Sequence, residues 1–104
     1  LDRAYELVEK ATTPAERRDA ARIVNLMADI YREQGRYDDA LRAYANVFAT
    51  YPEAAEEADA ARVAAARMIL MKPDSGQRED EQVRAILSGL RDQHLADEIL
   101  NSIR

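Results

Sequence analysis

The stretch from Pro14 to Gln34 contains no helix breaker after its first residue and carries two apolar faces at helical spacing. This feature limits the possible folds more than any other. Ala20, Val24, Met27 and Tyr31 line one face, and Ile23, Leu26 and Ile30 line the other. A helix lying on the surface of a globule shows a single apolar stripe. Two stripes call for neighbours on both sides, the situation of a helix inside a stacked array. The start of this helix is strongly marked. Thr13 suits the N-cap, Pro14 the first helical position and Glu16 the third, which together form a capping box. Gly35 can adopt the left-handed conformation that ends it.

The remaining chain is punctuated sparingly, with only three glycines and three prolines in all. Upstream, residues 2–11 place Ala4, Val8 and Ala11 on one helical face. Downstream, Tyr37 to Thr50 sets Ala40, Tyr44, Val47 and Tyr51 against Tyr37, Leu41 and Phe48, again a doubled pattern. Asp38 and Arg42 stand four apart in the favourable order for a surface pair. Pro52 restarts the chain into a fourth helix whose first turns hold Glu53, Glu56, Glu57 and Asp59, acids that suit the positive end of a helix dipole. From Ala60 to Met71 that helix is apolar nearly all round, which predicts a place at the centre of the bundle or in a subunit interface. Lys72-Pro73-Asp74-Ser75-Gly76 reads as a turn from its composition. A fifth helix is expected over Gln77–Ser88, closed by Gly89. A sixth, over Arg91–Ile103, has one stripe only: Leu95, Ala96, Ile99, Leu100 and Ile103. One apolar and one polar face is what a terminal, capping helix needs. The expected class is therefore all-α, with about six helices.

The charge and the rarer residues narrow the function. A net charge of −5 argues against a nucleic-acid backbone or an anionic membrane surface as the partner. The chain has no cysteine, which excludes a disulfide framework, a thiolate nucleophile and a zinc–thiolate site. No apolar run approaches the roughly 20 residues that span a bilayer, so direct membrane insertion is not expected. The chain begins at Leu1 and reads as a piece of a longer protein. His94 is the only histidine and has no companion at ligand spacing. Glu79-Asp80-Glu81 reads as helix-start acids. Gly35, Gly76 and Gly89 lie too far apart to cradle a phosphate, and Ser75 is a turn residue. No catalytic residue, metal or cofactor is expected, and the chain is read as a non-enzyme.

Fixed spacing is the mark of a repeat array, and one segment has it. Val24, Met27-Ala28 and Tyr31, followed by Ala40, Tyr44 and Pro52, resemble the signature of the tetratricopeptide-repeat family, with Gly35 and Tyr37 at its usual glycine and aromatic positions. The resemblance spans Ala21 to Ala54, and the departure is Val24, where the family favours tryptophan. A shift of 37 residues carries the pattern to Ala61, Ala64-Ala65 and Met68. A shift of 36 relates Ala4, Val8 and Ala11 to Ala40, Tyr44 and Val47. The resemblance implies antiparallel helical hairpins stacked as a short right-handed solenoid. Within it, 1–12 is the remnant of a preceding repeat and 14–52 a clean hairpin. Residues 53–88 form a degenerate second hairpin, and 91–104 a capping helix. It also implies that Tyr31, Tyr37 and Tyr44 pack in the interior. The long helices and the Tyr-Pro junction resemble the variant common in bacterial cell-envelope assembly proteins, which favours the periplasm or envelope over the cytoplasm.

In this family the first helix of each hairpin lines a concave groove that holds a peptide or a partner helix. Carried over by spacing, the groove would present Arg22, Asn25, Asp29 and Arg32, joined by Asp59 and Arg62 under the 37-residue shift. The arginines suit carboxylates, and Asn25 suits a peptide backbone. Exposed charges usually have no specific role, so a plain solvated face stands beside this reading. Two functions follow: a scaffold that binds a protein or peptide in the groove, or a segment that self-associates through the Ala-rich fourth helix or the C-terminal helix.

Overall fold

The computed structural model describes residues 12–71 and 77–102, except for the side chains of 77–79 and 102. Among the described residues there are five helices and no strand. They are α1 (Pro14–Glu33), α2 (Tyr37–Thr50), α3 (Ala55–Leu70), α4 (Gln77–Leu87) and α5 (Gln93–Ser102). The helix expected over 2–11, the turn at 72–76 and Ile103 lie outside the described residues.

The boundaries follow from local chemistry. Thr13 Oγ1 accepts the Glu16 N–H at 3.1 Å while Glu16 Oε1 accepts the Thr13 N–H at 3.3 Å, so the capping box forms as expected. At the other end Gly35 has φ of 78°. Arg36 N–H reaches Tyr31 O at 2.8 Å and Gly35 N–H reaches Arg32 O at 3.0 Å, the paired bonds of a Schellman ending. The start of α3 comes later than Pro52. Tyr51, at 3% exposure, and Ala54, at 4%, are anchored in the core, and the Ala54 N–H bonds Tyr51 O, holding 51–54 as a turn. Helix α5 also starts late, because Asp92 Oδ1 accepts the Leu95 N–H at 3.1 Å and so caps it. Arg42 approaches Asp39, not Asp38, and Asp39 also holds Arg36 at 2.8 Å.

Each helix packs on the next in sequence, and α1 also touches α3. Two cores result. The first joins α1, α2 and α3 through Ala20, Ala21, Val24, Ala28, Ala40, Tyr44, Val47, Ala61 and Ala65. The second joins α3, α4 and α5 through Ala66, Ile69, Val83, Leu87, Leu90, Ala96 and Ile99. Helix α3 serves both, which is the central place its composition predicted. Tyr44 is the largest fully buried side chain among the described residues, and its hydroxyl donates to the Asp29 carboxylate. Burial first, and this hydrogen bond second, raise the phenol pKa above its ordinary value.

Two apolar expectations are not met. Tyr37, at the first position of α2, is 58% exposed instead of packed. The second stripe of α1 is also largely open, with Leu26 at 56% and Ile30 at 49% exposure. Helices α2 and α3 cover the other side of α1, and among the described residues no helix covers this one.

Ala28 and Ala40 are both fully buried in the first core, where a larger side chain has no room. Ala40→Leu is expected to destabilise the fold by about 1–3 kcal/mol through overpacking. Thermal unfolding followed by circular dichroism reads this as a lower Tm. An unchanged Tm would show that α1 and α2 are not in close contact there.

Candidate functional site

Helix α3 buries Ala58, Ala61, Ala65 and Ala66 in the chain, and one further arc of its surface stays partly open. Asp59, Ala60, Val63, Ala64, Arg67 and Met68, with Met71 just beyond the helix, line an open cleft of about 460 Å³. Arg32 of α1 borders it on one side and Leu95 of α5 on the other. The cleft therefore runs along α3 between α1 and α5, three alternate helices presented on one face. Its floor is mostly apolar. Met71 is 79% exposed, the largest exposure among the bulky apolar side chains described.

The six residues carried over by spacing fall into three groups. Arg32 and Asp59 line the cleft. Arg22, Asn25 and Asp29 are engaged within the molecule instead. Asn25 Nδ2 donates to Glu57 O at 3.0 Å across the seam between α1 and α3, and its Oδ1 is sealed in the same seam. Arg22 reaches the Glu57 carboxylate at 3.6 Å and borders a second concavity of about 360 Å³ with Glu16, Asp19, Ala20 and Ile23. Asp29 accepts from Tyr44 and lies 3.7 Å from Arg32, so it ties a cleft cation to the core.

Arg62 is not among the cleft-lining residues. It sits on the side of α3 that meets α2 and α4, with its guanidinium 4.5 Å over the Phe48 ring and donating to Ile86 O at 2.8 Å. A Cβ on Gly89 would occupy the same space as this guanidinium. Glycine at 89 therefore does more than end α4. It leaves room for a cation that stacks on a ring of the first core and caps a carbonyl beside the second.

The charges around the cleft are largely spoken for. Asp59 accepts from Arg91 Nε at 2.7 Å, which raises the arginine pKa above its ordinary value. At the far end of the stack Arg17 donates to Glu53 and to Thr50 O at 2.6 Å and lies over Tyr51, clamping α1 to the turn before α3. Arg67 is the exception: among the described residues it has no acidic partner.

Ala60, Val63, Ala64, Arg67, Met68, Met71 and Leu95 line the cleft without having been expected there from the repeat spacing. A signal for most of them exists. Once Ala58, Ala61, Ala65 and Ile69 are given to the cores, the residues at 60, 64, 68 and at 63, 67, 71 form a second strip down the same helix. Comparison of the chain with known protein families, with curated proteins and with solved structures finds no match in any of the three.

The Arg62–Gly89 arrangement can be tested by a double-mutant cycle. Gly89→Ala displaces the guanidinium and Arg62→Met removes it, and each is expected to cost about 1–2 kcal/mol for a charged hydrogen bond and a ring contact. The double variant should cost far less than the sum. Additive losses in denaturant unfolding would show that the two residues act separately.

Proposed function

We propose that this chain is a protein-interaction scaffold that holds a peptide or partner helix in the cleft between α1, α3 and α5. The observation that carries the reading is the cleft itself: an apolar floor presented by α3 and Leu95 of α5, bordered by Arg32 of α1, with Met71 79% exposed. Exposed contiguous apolar surface of this kind marks interaction sites. Binding, not catalysis, is the activity that such a floor supports.

The architecture behind this reading is a short right-handed solenoid of tetratricopeptide-like hairpins, with 14–52 as one repeat, 53–88 as a second and 91–104 as the cap. Support comes from the links between alternate helices. Asn25 bonds Glu57 O, and Asp59 bonds Arg91, each tie joining residues 32 apart in sequence. Buried positions recur as well: Ala21, Val24 and Ala28 on α1 correspond to Ala58, Ala61 and Ala65 on α3 under the 37-residue shift. A cell-envelope location rests on the family resemblance alone. No helix among the described residues is long and apolar enough to cross a membrane.

Self-association through the Ala-rich helix or the C-terminal helix ranks second. Ala58, Ala61, Ala65 and Ala66 of α3 are buried inside the chain, and so are Ala96 and Ile99 of α5. Among the described residues little of either apolar face is left for another copy, apart from the cleft.

The test is selection of peptides from a displayed random library on the immobilised chain. Ala60 is exposed and lines the cleft, so Ala60→Trp fills the cleft without disturbing either core. Selected peptides should lose about tenfold or more in affinity for this variant, as expected where a central contact is blocked, and retain affinity for Leu26→Ser. A failure to enrich any peptide, or binding indifferent to Ala60→Trp, would remove the cleft as the site. Light scattering across a wide concentration range should show a monomer. A concentration-dependent dimer abolished by Ala60→Trp would instead favour self-association.

A further inference from the structure

We infer that the occupant of the cleft is an acidic amphipathic helix of a partner protein, anchored by apolar side chains and selected by Arg67. The inference rests on the cleft being the binding site and adds the chemistry of what it takes.

The shape favours a helix. Lining residues descend α3 from Asp59 to Met71 in rows four residues apart. That distance is about 18 Å of helix rise, enough for roughly three turns of a partner lying alongside. Helix-in-groove recognition places the apolar anchors of the partner at spacings of three and four. Met68 and Met71 suit this role, because an unbranched thioether chain adapts to differently shaped partners.

The sign of the charge comes from what is already neutralised. The chain as a whole carries −5, so an average patch of its surface should favour a basic partner. The cleft reverses this balance. Asp59, the one acid among the described lining residues, is engaged by Arg91 at 2.7 Å. Arg32 is only loosely held, 3.7 Å from an Asp29 that also accepts from Tyr44. Arg67 is exposed, lines the cleft and has no acidic partner among the described residues. The uncompensated charge at the mouth is therefore a cation beside an apolar floor. Its complement is a helix with carboxylates flanking its apolar stripe. The net negative charge of the chain opposes such a partner at long range, so selection happens at contact.

Fluorescence anisotropy with synthetic amphipathic peptides of about 14 residues, long enough for a helix in the groove, tests this. One peptide combines leucine with glutamate, one leucine with lysine, and one serine with glutamate. The leucine–glutamate peptide should bind several-fold more tightly than the leucine–lysine peptide, and the serine–glutamate peptide should not bind. Arg67→Glu should weaken the leucine–glutamate peptide by about fivefold, the scale of one exposed ion pair, and strengthen the leucine–lysine peptide. Ala60→Trp should abolish binding of both. Equal affinities of the two leucine peptides, still lost in Ala60→Trp, would overturn the acidic partner and leave the cleft standing. Binding insensitive to Ala60→Trp would overturn the cleft and this inference together. No binding of the leucine–glutamate peptide at all would overturn the inference.

Discussion

The close approach of helices allowed by the small residues of α3 is the constraint on which the rest of the structure depends. Ala61, Ala65 and Ala66 are fully buried and Ala58 nearly so. A helix with leucine at these positions would hold its neighbours farther off and could not complete two cores at once. Small residues let a 16-residue helix face α2 on one side and α4 on another. The cost is that the alanines of α3 fill little space, so most of the bulk comes from its neighbours, Tyr44 and Val47 in the first core and Val83 and Leu87 in the second, with Ile69 of α3 itself adding to the second. Leu41 and Ile86 reach both cores and join them.

Arg62 solves a problem created by this arrangement. It is a long cationic side chain on a helix whose other contacts are apolar, most of them alanine. It avoids the penalty of a buried unpaired charge by bonding Ile86 O and stacking on Phe48. The bond also serves one of the carbonyls left over at the end of α4. Gln93 reaches another, donating to Leu87 O at 3.3 Å, and also donates to Leu90 O at 2.7 Å in the turn that follows. The junction between the two cores is thus held by polar groups satisfying helix ends, while the apolar groups fill the spaces on either side.

Most of the helical framework was legible in the sequence, because it is written in local chemistry. The capping box at Thr13 and Glu16 and the glycine ending at Gly35 depend on residues within a few positions of one another. The candidate site was less legible for the opposite reason. Arg62 and Arg67 lie on the same helix and look alike in sequence, yet one is held between α2 and α4 and the other is open to the cleft. What separates them is Gly89, which lies 27 residues beyond Arg62 and appears in the sequence only as a helix terminator. The internal ties of Asn25 and Asp29 were not legible for a related reason. Their partners, Glu57 O and the Tyr44 hydroxyl, are long-range contacts that no periodicity announces.

The engagement of these side chains is also what gives the cleft its character. Had Asp29 and Asp59 been free, the cleft would present two carboxylates to a partner and would share the overall sign of the chain. Tyr44 and Arg91 remove them from that role in different ways. Tyr44 draws Asp29 toward the core with a hydroxyl that, being buried, must have an acceptor. Arg91 meets Asp59 from the residue just before the cap of α5. Both ties position helices, α1 on α2 and α5 on α3, and both withdraw negative charge from the same face. Packing and surface charge are therefore set by one group of contacts in this stack, and the face left open between α1, α3 and α5 is apolar with Arg67 beside it.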